Sequence, residues 1–160
     1  MEESCDPIGS ATFCYDPSVW RLDYLLGGEG NYDHLKAPYA SAYVAHRDHE
    51  PGSPGTLEAA EERLIAEMQD LGDGLSTLER VDMGASRLGN SATFAVVYDE
   101  DTGDAPPGIV LTSYVTVVVD EAGEVEMVTI FMDLGQGPAL SDRRAEVHRG
   151  LVEGLRRGTP

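Results

Sequence analysis

Two runs decide the fold class: Ile109-Val-Leu-Thr-Ser-Tyr-Val-Thr-Val-Val-Val119 and Glu124-Val-Glu-Met-Val-Thr-Ile-Phe-Met132, joined at Asp120-Glu121-Ala122-Gly123. Both are rich in β-branched and aromatic residues and are separated by turn formers, so they read as two long paired strands. Val117-Val118-Val119 and Val128-Thr129-Ile130-Phe131-Met132 are apolar on both faces, which asks for a sheet covered on both sides. Upstream, Ser91–Tyr98 adds a third strand that places Ala92, Phe94, Val96 and Tyr98 on one side.

The covering layers are read from helical spacing. Leu57, Ala60, Leu64, Met68 and Leu71 recur every three or four residues behind Thr56, which can cap the helix, and Glu58, Glu61 and Glu62 sit near its positive end. Gly72-Asp73-Gly74 stops that helix. A second helix is expected from Asp142, capped by Ser141, to about Arg157, with Val147, Leu151 and Leu155 on its apolar stripe.

Strands are also expected at Tyr39–His46 and Leu75–Met83. Phe13-Cys14-Tyr15-Asp16-Pro17-Ser18-Val19-Trp20 reads as a hairpin about Asp-Pro-Ser, and Gly27–Lys36 as a loop. The expected class is α+β: an antiparallel β-sheet flanked by helices on both faces, an α/β/α sandwich. Residues 1–10 are expected as an N-terminal tail and 11–160 as a single domain, a size that buries a full core.

Charge narrows the partners. With 29 acidic and 11 basic residues the net charge is −18, yet a hydrophobic fraction of 41% keeps the chain in the globular class. Residues 88–142 contain no Lys or Arg, and the basic residues Arg143, Arg144, Arg149, Arg156 and Arg157 gather at the end. Such a chain repels phosphates, so nucleic acid and anionic membranes are poor partners and a basic protein is a good one. No apolar run is long enough for a membrane span. The acidic start Met1-Glu2-Glu3-Ser4-Cys5 lacks the basic and apolar regions of a signal peptide, which points to the cytoplasm; the alternative is a secreted protein or lipoprotein whose leader has been removed. In the cytoplasm Cys5 and Cys14 are expected as reduced thiols.

Candidate sites are few. His46, Asp48 and His49 could coordinate Zn²⁺, although their spacing is not that of a compact metal site and a Pro/Gly loop follows. Asp99-Glu100-Asp101-Thr102-Gly103-Asp104 gathers carboxylates as a calcium loop does, but the place of the bidentate Glu holds Val110, so a hairpin turn is expected. Gly27-Gly28-Glu29-Gly30 lacks the Gly-Lys-Ser/Thr ending of a phosphate loop, and Gly84–Gly89 misses nucleophile-elbow spacing. Trp20, the single tryptophan, is a core anchor or, with Tyr39 and Tyr43, the wall of a ligand pocket. Arg143 and Arg144 against Asp99 and Asp101 form a candidate polar surface for a partner.

The order of elements resembles the Mog1p/PsbP-like fold group, which includes DcrB-type and LpqN-type bacterial proteins. The resemblance rests on the opening FCYDPSVW, the strand YASAYVAH, the helix TLEAAEERLIAEM, the Gly84 turn, the long final strands and the closing helix, and covers residues 11–157. It implies an α/β/α sandwich and a non-enzymatic role, because members act as photosystem II accessory subunits, a partner of the Ran GTPase, lipoproteins or Eag-type chaperones. The expected function is a non-catalytic protein-binding or chaperone module with an acidic surface, without cofactor, monomeric or a small homo-oligomer. The alternative is a small-ligand-binding domain with a pocket near Trp20.

Overall fold

The computed structural model describes residues 3–9, 11–35, 40–48, 56–70, 75–81, 90–98, 109–119, 123–134 and 142–157. The fold is α+β. Ten strands run in chain order as β1 Ser4–Ile8, β2 Ala11–Tyr15, β3 Trp20–Leu26, β4 Glu29–His34, β5 Ala40–Asp48, β6 Leu75–Val81, β7 Asn90–Tyr98, β8 Ile109–Val119, β9 Gly123–Leu134 and β10 Leu155–Arg157. Two helices, α1 Leu57–Asp70 and α2 Asp142–Glu153, complete the described elements. The pairing is antiparallel throughout, in a seven-stranded sheet of order β3-β4-β5-β9-β8-β7-β6 and a three-stranded sheet of order β1-β2-β10.

The long pair is where its composition puts it. β8 and β9 lie beside each other near the centre of the large sheet and pair from Ile109↔Leu134 to Val119↔Glu124. Alternate residues of a strand point to opposite faces, and the two main cores divide β8 accordingly. Val115, Val117 and Val119 pack with Ala92, Phe94 and Val96 of β7 and with Ala60 and Leu64 of α1. Val118 belongs instead to a core with Val125 and Met127 of β9, Ala42 and Val44 of β5, Tyr32 of β4 and Trp20 of β3. The small sheet closes that second core with Ile8, Ala11 and Phe13, and the C-terminal segment with Leu151, Val152 and Leu155. Fully burying a side chain of this size is worth about 1.5–3 kcal/mol, so these two clusters carry the fold. The Thr56 cap forms as expected, its Oγ1 accepting from the Ala59 amide at 3.2 Å.

Several local expectations are corrected. Ser4–Ile8, inside the stretch expected as a tail, is β1, and it pairs with β2 from Ser4↔Tyr15 to Ile8↔Ala11. Phe13–Trp20 is a corner and not a hairpin, because β2 and β3 belong to different sheets. Asp16 makes that corner: its carbonyl accepts from the Val19 and Trp20 amides, and its Oδ1 from both the amide and the hydroxyl of Ser18. The segment read as a loop from Gly27 contains β4, which pairs on both sides.

The closing helix stops at Glu153, short of Arg157. Gly154 turns the chain, its carbonyl accepts from the Cys14 amide at 2.7 Å, and β10 then pairs with β2. Cys5 and Cys14, expected as thiols, are directly opposed across β1 and β2 and form a disulfide.

Candidate functional site

A cleft of about 420 Å³ opens between the β2–β3 corner and α2. Phe13 and Tyr15 come from β2, Asp16 and Val19 from the corner, Trp20 from β3, His34 from the end of β4, and Glu146, Val147 and Gly150 from α2. Chain geometry explains the meeting. Alternation along β2 sends Phe13 and Tyr15 to the same side, where their rings stack with centroids 5.6 Å apart. Trp20 sits opposite His34 in the β3–β4 register and meets its ring edge-on at 4.7 Å. On α2 the spacing of Glu146 and Gly150 puts both on one helix face.

The polar residues that line the cleft are Tyr15, Asp16, His34 and Glu146, and no Lys or Arg lines it among the described residues. Behind the aromatic wall, the Tyr32 hydroxyl donates to Asp6 Oδ2 at 3.0 Å, and Tyr15 stands edge-on to Tyr32 with centroids 5.0 Å apart. Burial, with the Asp6 charge added, raises the pKa of both Tyr15 and Tyr32 and holds the phenols neutral.

A second polar cluster lies wholly inside. His148 of α2 is fully buried. Its Nε2 lies 2.7 Å from Thr116 Oγ1 and its Nδ1 2.8 Å from Thr129 Oγ1, while Thr116 Oγ1 is 2.7 Å from Thr93 Oγ1. Tyr114 stacks on the imidazole at 5.6 Å. Burial lowers the His148 pKa to about 3, so the ring is neutral, with one nitrogen protonated and the other accepting. The cluster satisfies its own polar atoms and has no opening to a ligand.

The residues singled out in the sequence are dispersed. Trp20 lines the cleft, but Tyr43 does not. Tyr43 alternates with Ala42 and Val44 of the Trp20 core, so it lies on the other side of β5, where its hydroxyl donates to Glu29. Burial and the Glu29 bond push its pKa up to about 12. Tyr39 lies outside the described residues.

Of the metal candidates, His46 is packed under the β1–β2 turn. Gly9 adopts φ 61° there, and a Cβ on it would collide with the His46 ring. Arg47, next in sequence, faces away and pairs with Glu67 of α1 at 3.6 Å and Glu126 of β9 at 3.8 Å. Arg63 of α1 joins the same network through Glu67 at 3.9 Å and pairs as well with Glu124 of β9. The Asp48 side chain and His49 lie outside the described residues. Among those described, the ligand atoms that do converge belong to Glu3, Cys5 and Cys14, but the two sulfurs are spent on the disulfide.

Arg143 and Arg144 fall in the first turn of α2, with side chains outside the described set, as are Asp99 and Asp101. The basic C-terminal segment instead reaches the small sheet, where Arg156 holds both oxygens of Glu3 at 2.9 and 2.6 Å.

Sequence reasoning found one wall of the cleft, Trp20, and missed Tyr15, Glu146, Gly150 and the buried His148. A signal for His148 was present: it precedes Leu151 by three residues and Leu155 by seven, on the apolar stripe.

No family model matches the chain, and no curated protein matches it. No described helix is long and apolar enough to cross a membrane. Among solved structures, the chain is similar in fold to a crystal structure from Bacteroides thetaiotaomicron VPI-5482, with a TM-score of 0.53 and 12% sequence identity over 98% of this chain. The chain spans about half of that protein, 48% of its length.

Proposed function

We propose that the chain is a non-catalytic protein-binding or accessory module that anchors a side chain of its partner in the cleft beside Trp20. The observation that carries this reading is the cleft itself: about 420 Å³, lined by Phe13, Tyr15 and Trp20 together with Val19 and Val147. Interface hot spots are commonly anchors seated in such pockets, and a charge of −18 steers basic partners toward it. The volume also falls in the range of small-molecule sites, which keeps a small-ligand-binding domain as the second reading.

The packing of α1 and α2 against alternate residues of β8 supports an α/β/α sandwich, and with it the resemblance to the Mog1p/PsbP-like group. The Cys5–Cys14 disulfide favours an oxidising compartment, hence the secreted alternative over the cytoplasm.

Gly150 gives a clean test, since a side chain there points into the cleft and its Cβ meets nothing within 4 Å. Immobilised wild type and Gly150→Leu are compared for stoichiometric protein capture from the source cell at low and moderate salt. Capture by the wild type and its loss in Gly150→Leu is the expected result. Equal capture by both, or none by either, overturns the proposal.

A further inference from the structure

We infer that the outer edge of β3 takes up an extended, basic segment of a protein partner, which pairs with it as a further strand of the large sheet. The groups it uses are main-chain amides and carbonyls and the side chains of β3, so it goes beyond the cleft reading and is tested apart from it. β3 ends the seven-stranded sheet: β4 pairs with one side, and among the described residues no strand pairs with the other. Hydrogen bonds at the ends of the ladders fix which groups face outward. The Leu35 amide donates to the Val19 carbonyl, and the His46 amide to the Gly28 carbonyl. Antiparallel pairs exchange bonds at alternate residues. Val19 faces β4, so Arg21 does too; Gly28 faces β5, so Glu29 faces β3 and bonds with Leu26 opposite it. The amides and carbonyls of Leu22 and Leu25 therefore point away from the sheet.

The side chains do little to close this edge. Sheet edges are commonly blunted by Pro, Lys or short length. In the small sheet, β1 carries Pro7 and β10 spans three residues. β3 is seven residues long, has neither Pro nor Lys, and holds three of the five large apolar side chains exposed among the described residues: Leu22, Tyr24 and Leu26, the last 64% exposed. A register shift between Leu22 and Tyr24 bends it but leaves both Leu22 and Leu25 turned outward. Leu22 stands opposite Tyr32 and Tyr24 opposite Asn31, so they lie on opposite faces. A strand added at this edge gains main-chain hydrogen bonds and finds apolar neighbours on either face.

Charge selects the occupant. Arg21 is paired with Asp33 at 3.0 Å. Asp23 accepts from Asn31 at 3.5 Å and Glu29 from the Tyr43 hydroxyl; both donors are neutral, so neither bond cancels the carboxylate's charge. With the chain at −18, a segment bearing Lys or Arg is drawn to this edge. A second copy of the chain would bring a further −18 against it.

The probe is a capped heptapeptide of alternating lysine and valine, titrated into the isotope-labelled full chain. Saturable binding is expected, with the largest amide shifts and slowed amide exchange at Leu22 and Leu25. N-methylation of the peptide's amides keeps its charge but removes its donors, and should weaken binding roughly tenfold, as the loss of one or two hydrogen bonds does. Leu22→Pro removes an outward donor and no β3–β4 bond, and should weaken binding to a similar degree with the circular dichroism unchanged. The N-methylated peptide, tested on the wild type, does not depend on that variant folding. A valine–glutamate peptide should not bind.

No binding, or equal binding of the N-methylated peptide, overturns strand addition, and equal binding of the glutamate peptide overturns the basic partner. Shifts gathered at Tyr15 and Val147 would overturn the edge and leave the cleft reading standing. Self-association of the chain alone, abolished in Leu22→Pro, would make the occupant a second copy and overturn the inference as well.

Discussion

His148 Nε2 and Thr116 Oγ1 lie 2.7 Å apart, in a site with no solvent exposure at either residue. With Thr129 on the other ring nitrogen, hydroxyls from β8 and β9 converge on one imidazole from α2, and Thr93 of β7 backs Thr116. The hydroxyls can rotate to donate or accept, so the neutral ring satisfies the cluster in either tautomer. A charged ring would need two acceptors and would pay a heavy desolvation penalty.

That arrangement predicts an acid-sensitive fold. The folded pKa of His148 is lowered to about 3, below the unfolded value of 6.5, so the unfolded state binds more protons between those limits. Its contribution is intact above about pH 6.5 and is lost as the pH falls toward 3, at up to about 1.4 kcal/mol per pH unit. Urea unfolding should show a loss of about 2 kcal/mol between pH 7 and pH 5. In His148→Gln, which keeps a polar side chain but cannot titrate, most of that slope should vanish even if the protein is less stable overall. A slope unchanged in the variant would place the acid sensitivity elsewhere.

The disulfide carries a separate prediction. Cys5 and Cys14 are nine residues apart, and closing a loop of that size removes unfolded-state entropy worth about 2–3 kcal/mol. Thiol titration of the denatured, unreduced protein should find no free sulfhydryl. Reduction, or paired Cys5→Ser and Cys14→Ser substitutions, should lower unfolding stability by that amount. The loss should be accompanied by faster amide exchange in β1, whose only described strand partner is β2. If reduction leaves the denaturation midpoint unmoved, the staple is not what holds β1.

Much of the fold was legible because its longest elements carry strong local signals. β8 and β9 are unbroken runs rich in β-branched and aromatic residues, and α1 carries its apolar residues at three- and four-residue spacing behind a Thr cap. β4 was hidden because Glu29-Gly-Asn-Tyr-Asp-His is written in turn formers. Strand propensity is largely a matter of neighbours, and its hydrogen bonds to β3 and β5, with Tyr32 buried between sheets, override that composition.

The end of α2 was misjudged for a similar reason. Leu155 continues the helical spacing after Leu151, whereas the stop comes from the approach of Cys14 to Gly154, a contact across most of the chain. The candidate site suffered most: its walls come from β2, β3 and α2, and local spacing cannot bring the two ends of a sequence together. Trp20 stood out by being alone of its kind, but Tyr43, grouped with it as a pocket wall, alternates to the opposite side.

A phenol that ionises only above its ordinary range gives a prediction at the alkaline end. Tyr43 is held up to about pKa 12 by burial and by its bond to Glu29, and Tyr32 is raised further by burial and Asp6. For both, the folded value lies above the unfolded value of about 10, so their contribution is complete below pH 10 and falls as the pH rises past it. Tyrosine absorbance near 295 nm should therefore titrate in at least two steps, with the late one accompanying loss of structure. Tyr43→Phe should remove part of the late step while leaving the small sheet folded. A single titration near pH 10 with the fold intact would contradict the buried environments of these two phenols.

Gly150 and Gly154, one helical turn apart, should respond in opposite directions to the same substitution. Gly150 lies within α2, and a Cβ there meets no atom within 4 Å, so Gly150→Ala gains helix propensity and loses unfolded-state freedom at no steric cost. A gain of about 0.5–1 kcal/mol is expected, with only slight narrowing of the cleft. At Gly154 a Cβ would overlap the Cys14 carbonyl oxygen and crowd the Phe13 ring, and the Cys14 amide to Gly154 carbonyl bond leaves that backbone no room to retreat. Gly154→Ala should cost about 1–3 kcal/mol and release β10 from β2, as overpacking against main chain does. Chemical denaturation of the two variants side by side decides it. Two stabilised proteins would mean that α2 simply continues through Gly154, and the joint between the helix and the small sheet, on which the cleft geometry depends, would have to be redrawn.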